Sequence, residues 1–345
     1  MNRLRAFLAL AVVFAGCYTH PGATPAGGPA QTEGVRFEVP DWSGRWYKGN
    51  THTHTTESDG DSSPEYVARW YKDHGYDFLV LSDHNVYTDP ASLSHLADST
   101  FLLIAGEELT SSYEGAPVHV NGLNIPHVLA AERASSLVET IQANVDAVRN
   151  VDGVPHINHP NFQWAFSVEE LRQIENDRLL EIWNGHPTVH NAGGGGTPSL
   201  IEVWDMLLTG GKRIYGIAVD DAHHFQGEFT ADRANPGRGW IAVRSRERTA
   251  DALMEALEAG YFYASTGVSL DDVVVTANRL EIHIEPDRDF RYHTLFYGSG
   301  GRLLGESGAN PATYELTRDV GYVRAEVTSS RSDRAWTQPV FVVGR

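Results

Sequence analysis

The stretch "RWYKGNTHTHTTESDG", residues 45–60, runs from an aromatic lead-in into two histidines one residue apart and then an aspartate. Read as a β-strand, it places His52 and His54 on one face, because successive side chains alternate sides. Two imidazoles aimed at one point commonly hold a transition metal. A polar strand end with solvated histidines has the same pattern, so the rest of the chain decides between the two.

Outward from this stretch, strand and helix signals alternate. Short apolar runs with β-branched content follow at "DFLVLSDHN" (77–85), "FLLIAGEEL" (101–109), "VPHINHPN" (154–161), "LLEIWNG" (179–185), "IYGIAVDD" (214–221) and "GWIAVRS" (239–245). Helical patterns separate most of them. "SSPEYVARWYKDHG" (62–75) offers Ser62 as N-cap, Glu65 at the capping-box position and Gly75 as a stop. About seven βα units argue for a parallel α/β barrel or a doubly wound sheet. After Gly267 the helices cease, and alternating strands such as "DDVVVTANRLEIHIEP" (271–286) imply a small antiparallel β domain over 270–345.

Almost every apolar run ends in His, Asp or Glu: His52, His54 and Asp59; Asp83 and His84; Glu107 and Glu108; His156 and His159; Glu181 and Asn184; Asp221 and His223. The extended piece "APVHVNG" (116–122) adds His119. In parallel α/β folds the C-terminal ends of strands carry ligands and chemistry. One such residue, His84 for instance, has a structural explanation as a helix cap. The whole set does not, because converging imidazoles and carboxylates without a cation would repel or stay unpaired.

Composition bounds the partners. The chain has 345 residues, 45 acidic against 27 basic, and a net charge of −18. That field repels a phosphate backbone, and no basic stripe interleaved with aromatics is present, which excludes a long nucleic acid as partner. Residues 1–16 have the basic start, short apolar stretch and small residues of an export signal. Phe14-Ala15-Gly16-Cys17 resembles a bacterial lipobox, so Cys17 is expected to carry a lipid anchor to a membrane, with the mature chain at −20 after loss of Arg3 and Arg5. As the sole cysteine, it also removes disulfides and thiolate catalysis. Residues 17–36, rich in Gly, Pro and Ala, read as a flexible tether. The run Gly193 to Gly196 reads as a mobile loop, lacking the spacing of a phosphate-binding glycine loop.

Taken in order, "HTHTTESDG", "LSDHN", "GEELT", "VHVNG", "NHPN", "EIWNG" and "DDAHH" resemble the PHP (polymerase and histidinol phosphatase) family of metallohydrolases. The run "GGGGTPSLIEVWDMLLTGGKRIYGIAVDDAHHF" (193–225) and the β-rich end look closest to its bacterial carbaryl-hydrolase-like branch. The resemblance implies an α/β fold, a distorted (β/α)7 barrel of PHP type over 37–269, and two or three divalent ions (Mn, Zn or Fe). Carried over by motif, His52, His54, Glu108 and Asp221 hold one ion, Glu108 bridges to a second on His119 and His159, and a third sits on Asp59, His84 and His223. Asp59 stands where many family members have histidine, which makes the third site harder and favours manganese or weak occupancy. Glu108 is preferred to Glu107 because the motif reads Gly, any residue, Glu, and alternation points Glu107 away. His159 is preferred to His156 because the family's histidine precedes proline.

Paired ions acidify a bridging water and clamp the attacked centre, so the expected activity is hydrolysis of a small phosphoester by a metal-bridging hydroxide. Glu108, Asp221 and His159 would serve it directly. His224, His156 and Asp83 are candidates for the general acid, and Asp83 is alternatively an orienter of a ligand histidine. Arg233 and Arg238 are candidate anion binders or solvated loop arginines. Phe162, Trp164, Phe166 and Trp183 would wall an apolar pocket or belong to the core. The alternatives are a carbamate or carboxyl ester hydrolase and a non-catalytic metal-binding lipoprotein.

Overall fold

The computed structural model describes residues 34–344, so the leader, Cys17 and most of the expected tether lie outside the described residues. No described helix is long and apolar enough to cross a membrane. Strands β1 (Val35–Phe37) and β2 (Arg45–Asn50) are followed by helix α1 (Pro64–Asp73), β3 (Phe78–Val80) and β4 (Leu102–Ile104). The hairpin β5 (Gly106–Tyr113) and β6 (Ala116–Leu123) leads through α2 (Leu137–Arg149) to β7 (Val154–Ile157), α3 (Val168–Gln173), β8 (Leu179–Asn184), α4 (Leu200–Thr209) and β9 (Tyr215–Val219). Then come β10 (Trp240–Ser245), α5 (Ala250–Glu258) and β11 (Phe262–Ser265). The remaining strands are β12 (Leu270–Val275), β13 (Arg279–Ile284), β14 (Tyr292–Gly298), β15 (Arg302–Ser307), β16 (Ala312–Glu315), β17 (Tyr322–Ser329), β18 (Arg334–Thr337) and β19 (Val340–Gly344).

The fold is mixed α/β, and no closed seven-stranded ladder forms among the described residues. One sheet contains the parallel steps β2-β3-β4, and a second of five strands runs β5-β6-β7-β8-β9. Only its β7-β8-β9 half is parallel. The β5–β6 link is Glu114-Gly115, at φ 47° and 90°, and so short a connection permits only an antiparallel hairpin. β10 likewise runs antiparallel to β2 and β11. The single strand expected over 101–109 divides at Ala105. There Gly106 packs so close to Val80 and the Gly122 carbonyl that a Cβ would meet them at 2.3 and 2.9 Å. Two isolated parallel pairs, Thr53 with Ala222 and His84 with Glu108, join the two sheets at their seams. Both seams fall on the site.

Of the parallel strands, β3, β7 and β9 are buried throughout, as strands covered on both faces must be. Ile157, Leu180 and Ile182 from them meet Trp204 and Leu207 of α4, and Tyr322 and Trp336 from beyond residue 270 complete that core. Each such large side chain contributes about 1.5–3 kcal/mol when fully buried. The chain beyond 270 is all strand, yet its β18 pairs with β11, so one sheet runs across the expected boundary. Val35–Phe37 pairs with β19, so the last two residues of the expected tether are already in a strand. α1 is capped by Ser63, not Ser62: with Pro64 at the first helical position, the Ser63 side chain accepts from the Tyr66 amide. Ser167 with Glu170 and Ser199 with Glu202 form capping boxes that start α3 and α4.

Candidate metal centre

His52 and His54 lie just past β2, where the Thr53–Ala222 pair continues the strand direction and keeps the two rings on one side. Their Nε2 atoms are 3.2 Å apart. Asp221 Oδ1 stands 3.3 and 3.2 Å from them, and Glu108 Oε2 3.5 and 3.4 Å. Glu108 Oε1 faces His119 Nδ1 at 2.9 Å and His159 Nε2 at 3.6 Å, and its other oxygen lies 2.8 Å from His84 Nδ1. Five imidazoles therefore surround one buried carboxylate.

Among the described residues, four sets of donors each have all members within 4.8 Å: His52/His54/Asp221, His52/Glu108/His159, His84/Glu108/His119 and His54/Asp59/His84/His223. Two ligands sharing one ion at bonds of about 2.0–2.2 Å are separated by at most about 4.4 Å, so these sets are close to what a shared cation requires. The donor chemistry, imidazole nitrogen with carboxylate oxygen, suits zinc, iron or manganese. Buried Glu108 Oε2 and His119 Nδ1 lack a well-aligned hydrogen bond, as a ligand atom would. The grouping differs from expectation: Glu108 falls outside the His52/His54/Asp221 set, and His119 and His159, whose rings meet edge to face at 5.1 Å, fall in different sets with only Glu108 common to both. His54 also joins the Asp59 set, through Nδ1 at 3.6 Å.

Burial opposes charge on His52, but Asp221, Glu108 and Glu181 outweigh it and hold the ring well above its ordinary pKa. Against the opposing effect of partial burial, His84 is lifted to about 10 by Glu108 and Asp59. Burial and the neighbouring His223 push His54 the other way, to about 4. Against burial, the histidines drive Glu108 and Asp221 well below the carboxylate range. Protons on imidazoles thus balance the carboxylates, a task a divalent cation performs by displacing those protons.

A surrounding layer fixes the rings. Glu181 Oε1 lies 2.6 Å from His52 Nδ1 and so leaves Nε2 to face the cluster, while its Oε2 accepts from the His159 amide and Asn184 Nδ2, both at 2.8 Å. Asn184 Nδ2 also donates to Asp221 Oδ2 at 3.0 Å, and Asn158 Nδ2 donates to Glu108 Oε1 at 2.7 Å. His223 Nδ1 donates to the Asp221 carbonyl at 2.9 Å, turning Nε2 toward Asp59 at 3.2 Å. Asp221 itself is held at φ 48°.

Of the remaining sequence candidates, Glu107 turns to the opposite face of β5, where its Oε1 accepts from the Leu129 amide at 2.6 Å and burial raises its pKa to about 7. Asp83 touches no ligand ring; it accepts from the Thr55 amide and hydroxyl and the Ser58 hydroxyl, at 2.6–2.8 Å, and so braces the loop that presents Asp59. His156 is buried, with Nε2 against the Thr51 carbonyl at 3.5 Å, and burial lowers its pKa to about 4. The His224 ring centre is 6.4 Å from that of His223, and its backbone amide donates to the Ala234 carbonyl. Arg233 and Arg238 donate to loop carbonyls, Gln226 for the first and Gly185 and Thr230 for the second, which ties them to the loops. Phe162 packs on His159 and His119, Phe166 is core, and Trp183 stacks on Trp336. His186 was not foreseen; its ring lies 5.1 Å from that of His223, and it follows Asn184 at the same strand end that carries the other site residues.

No protein-family model matches the chain, and neither does any curated protein. Among solved structures, a two-domain protein of Bacteroides vulgatus, described as containing a predicted PHP-like metal-dependent phosphoesterase, shares 17% identity at TM-score 0.50. The match covers 88% of this chain and 95% of that one. A candidate metal-dependent phosphoesterase of Bifidobacterium adolescentis (13% identity, 57% and 91% covered) and an amidohydrolase of Chromobacterium violaceum with bound sulfate and no metal (13%, 54% and 93%) each give TM-score 0.37. The first likeness shows a fold shared with that two-domain protein.

Proposed function

We propose that this chain is a PHP-type metal-dependent hydrolase of small phosphoesters, exported and anchored by a lipid on Cys17. The observation that carries the reading is Glu108, a buried carboxylate within 3.6 Å of five imidazoles and shared by two donor sets. Divalent ions, manganese, zinc or iron, would supply a Lewis acid and an acidified water there. His52, His54, Glu108, Asp221, His119 and His159 would hold them, and Asn158 and Asn184 keep the two carboxylates aimed. Phe162 packs against both His119 and His159, with ring centres 6.1 and 5.1 Å away.

The Asp59 set favours phosphoesters over carbamates. A phosphoryl transition state spreads charge over several oxygens, whereas an attacked carbamate develops one oxyanion. The test is metal analysis of purified protein with turnover of phosphomonoesters, phosphodiesters, carboxyl esters and carbamates. Asp59→Ala should cost roughly a hundredfold in kcat on a phosphomonoester and far less on an aryl carbamate. An uncharged ester turned over best, indifferent to Asp59, would replace this reading with carbamate or carboxyl ester hydrolysis; metal without turnover of any ester would leave a metal-binding lipoprotein.

A further inference from the structure

Trp164 is 45% exposed, and its ring stacks on that of exposed His190 at 4.3 Å with the planes only 8° apart. Its backbone lies at φ 57°, directly after Gln163 at φ 51°. A bulky residue is disfavoured in the left-handed region, and an exposed indole recovers little of that cost through burial. Core packing therefore does not account for it.

Both halves of the stacked pair are wired to the metal centre. On one side, the Phe162 amide donates to the carbonyl of His159 at 2.8 Å, and the Trp164 amide to Asn161 at 3.3 Å, so the turn carrying Trp164 is built on a ligand residue. On the other, Asn191, next to His190, exchanges hydrogen bonds of 2.9 and 2.7 Å with the Asn184 backbone, and the Asn184 side chain holds Asp221. Buried Asn161 locks the two segments together by donating to the His190 and Pro198 carbonyls, each at 3.0 Å. His190 and Asn191 also border a cavity of about 1200 Å³ whose other walls come from α4 and the strands beyond residue 290, so open space reaches the His190 side of the pair. An exposed, flat aromatic surface carried on turns that are hydrogen-bonded to ligand-bearing segments can serve as a stacking platform.

We propose that Trp164 and His190 form this platform for a planar aromatic group of the ester substrate, so that the site selects aryl over alkyl esters. This rests on the hydrolase reading for the reaction, though not for the binding. The experiment compares the metal-loaded wild type with Trp164→Gly, which suits the left-handed backbone, and Trp164→Phe, which keeps a ring. In calorimetry, phenylphosphonate should bind wild type about tenfold tighter than Trp164→Gly, while methylphosphonate binds both alike and Trp164→Phe keeps most of the affinity. In kinetics, the ratio of kcat/KM for phenyl phosphate to that for glycerol phosphate should fall by a similar factor in Trp164→Gly, mainly through KM. Comparing ratios between variants cancels the intrinsic reactivity of the aryl ester. Equal loss on both ligands, or none, overturns the platform. Phenylphosphonate selectivity without hydrolysis of either ester would uphold the platform and sink the hydrolase reading instead.

Discussion

At the junction of α4 and β17, buried Asp205 accepts from Arg324 Nε at 2.8 Å, from Arg324 Nη2 at 2.6 Å and from the Tyr322 hydroxyl at 2.7 Å. The guanidinium lies 4.6 Å over the Tyr297 ring and 5.2 Å from that of Trp204. Glu108 is buried just as deeply, but among imidazoles, and its Oε2 has no hydrogen-bond donor aligned to it. The junction satisfies both carboxylate oxygens with fixed donors, although Arg324 Nη1 has no hydrogen-bond partner. The metal centre aims lone pairs at common points and leaves them unmatched. Buried charge of the first kind holds elements together; buried charge of the second kind is organised for a cation.

The strongest way to break this contrast is to remove both carboxylates in turn. Glu108→Ala should lower metal content by more than one ion per chain and reduce turnover at least about a thousandfold, with the fold retained. Glu107→Ala, one residue along on the other face, should leave metal content unchanged. Elemental analysis with turnover on the same preparations decides it, and equal losses from the two variants would refute the facing assigned to β5.

Asp205→Ala should do the reverse. Leaving Arg324 buried and unpaired costs about 3–5 kcal/mol, read as a drop in unfolding free energy, while folded protein keeps its full metal complement. Loss of metal at unchanged stability would mean that the junction serves the site and not the fold.

Much of the site was legible because strand ends and period-two alternation are local. His52, His54, Asp59, His84, Glu108, His119, His159, Asp221 and His223 were picked from the polar residues around the apolar runs by the family motifs, and the structure brings them into overlapping donor sets, with Glu108 near the start of β5 and His119 inside β6. The family motif chose Glu108, and alternation then sent Glu107 to the other face of β5. What was not legible depends on distant pairing. The antiparallel setting of β10 and the division at Ala105 are choices of neighbour, which an apolar run does not specify. The same holds for Arg238, which sequence leaves open between an anion binder and a solvated loop arginine, and whose guanidinium the structure shows donating to the Gly185 and Thr230 carbonyls. Glu181 stood in plain view at its strand end, but its role lies in a contact to His52, 129 positions away.

That contact supplies the smallest expected effect, and it tests how far the metal centre depends on groups that are not ligands. Glu181 holds the His52 ring through Nδ1, and its second oxygen supports the His159 amide and Asn184, so one side chain orients donors in two of the sets. Glu181→Gln keeps size and one acceptor oxygen but removes the charge that raises the basicity of His52. Metal affinity should fall about 10- to 100-fold, the range typical for partners behind ligand histidines. Because the ligands themselves remain, kcat measured at saturating metal should return to within a few-fold of wild type. A titration of activity against free metal for both proteins separates the outcomes. A shifted midpoint with a common plateau is expected. A lowered plateau that added metal does not restore would mean that Glu181 acts on the reaction and not on the seating of His52.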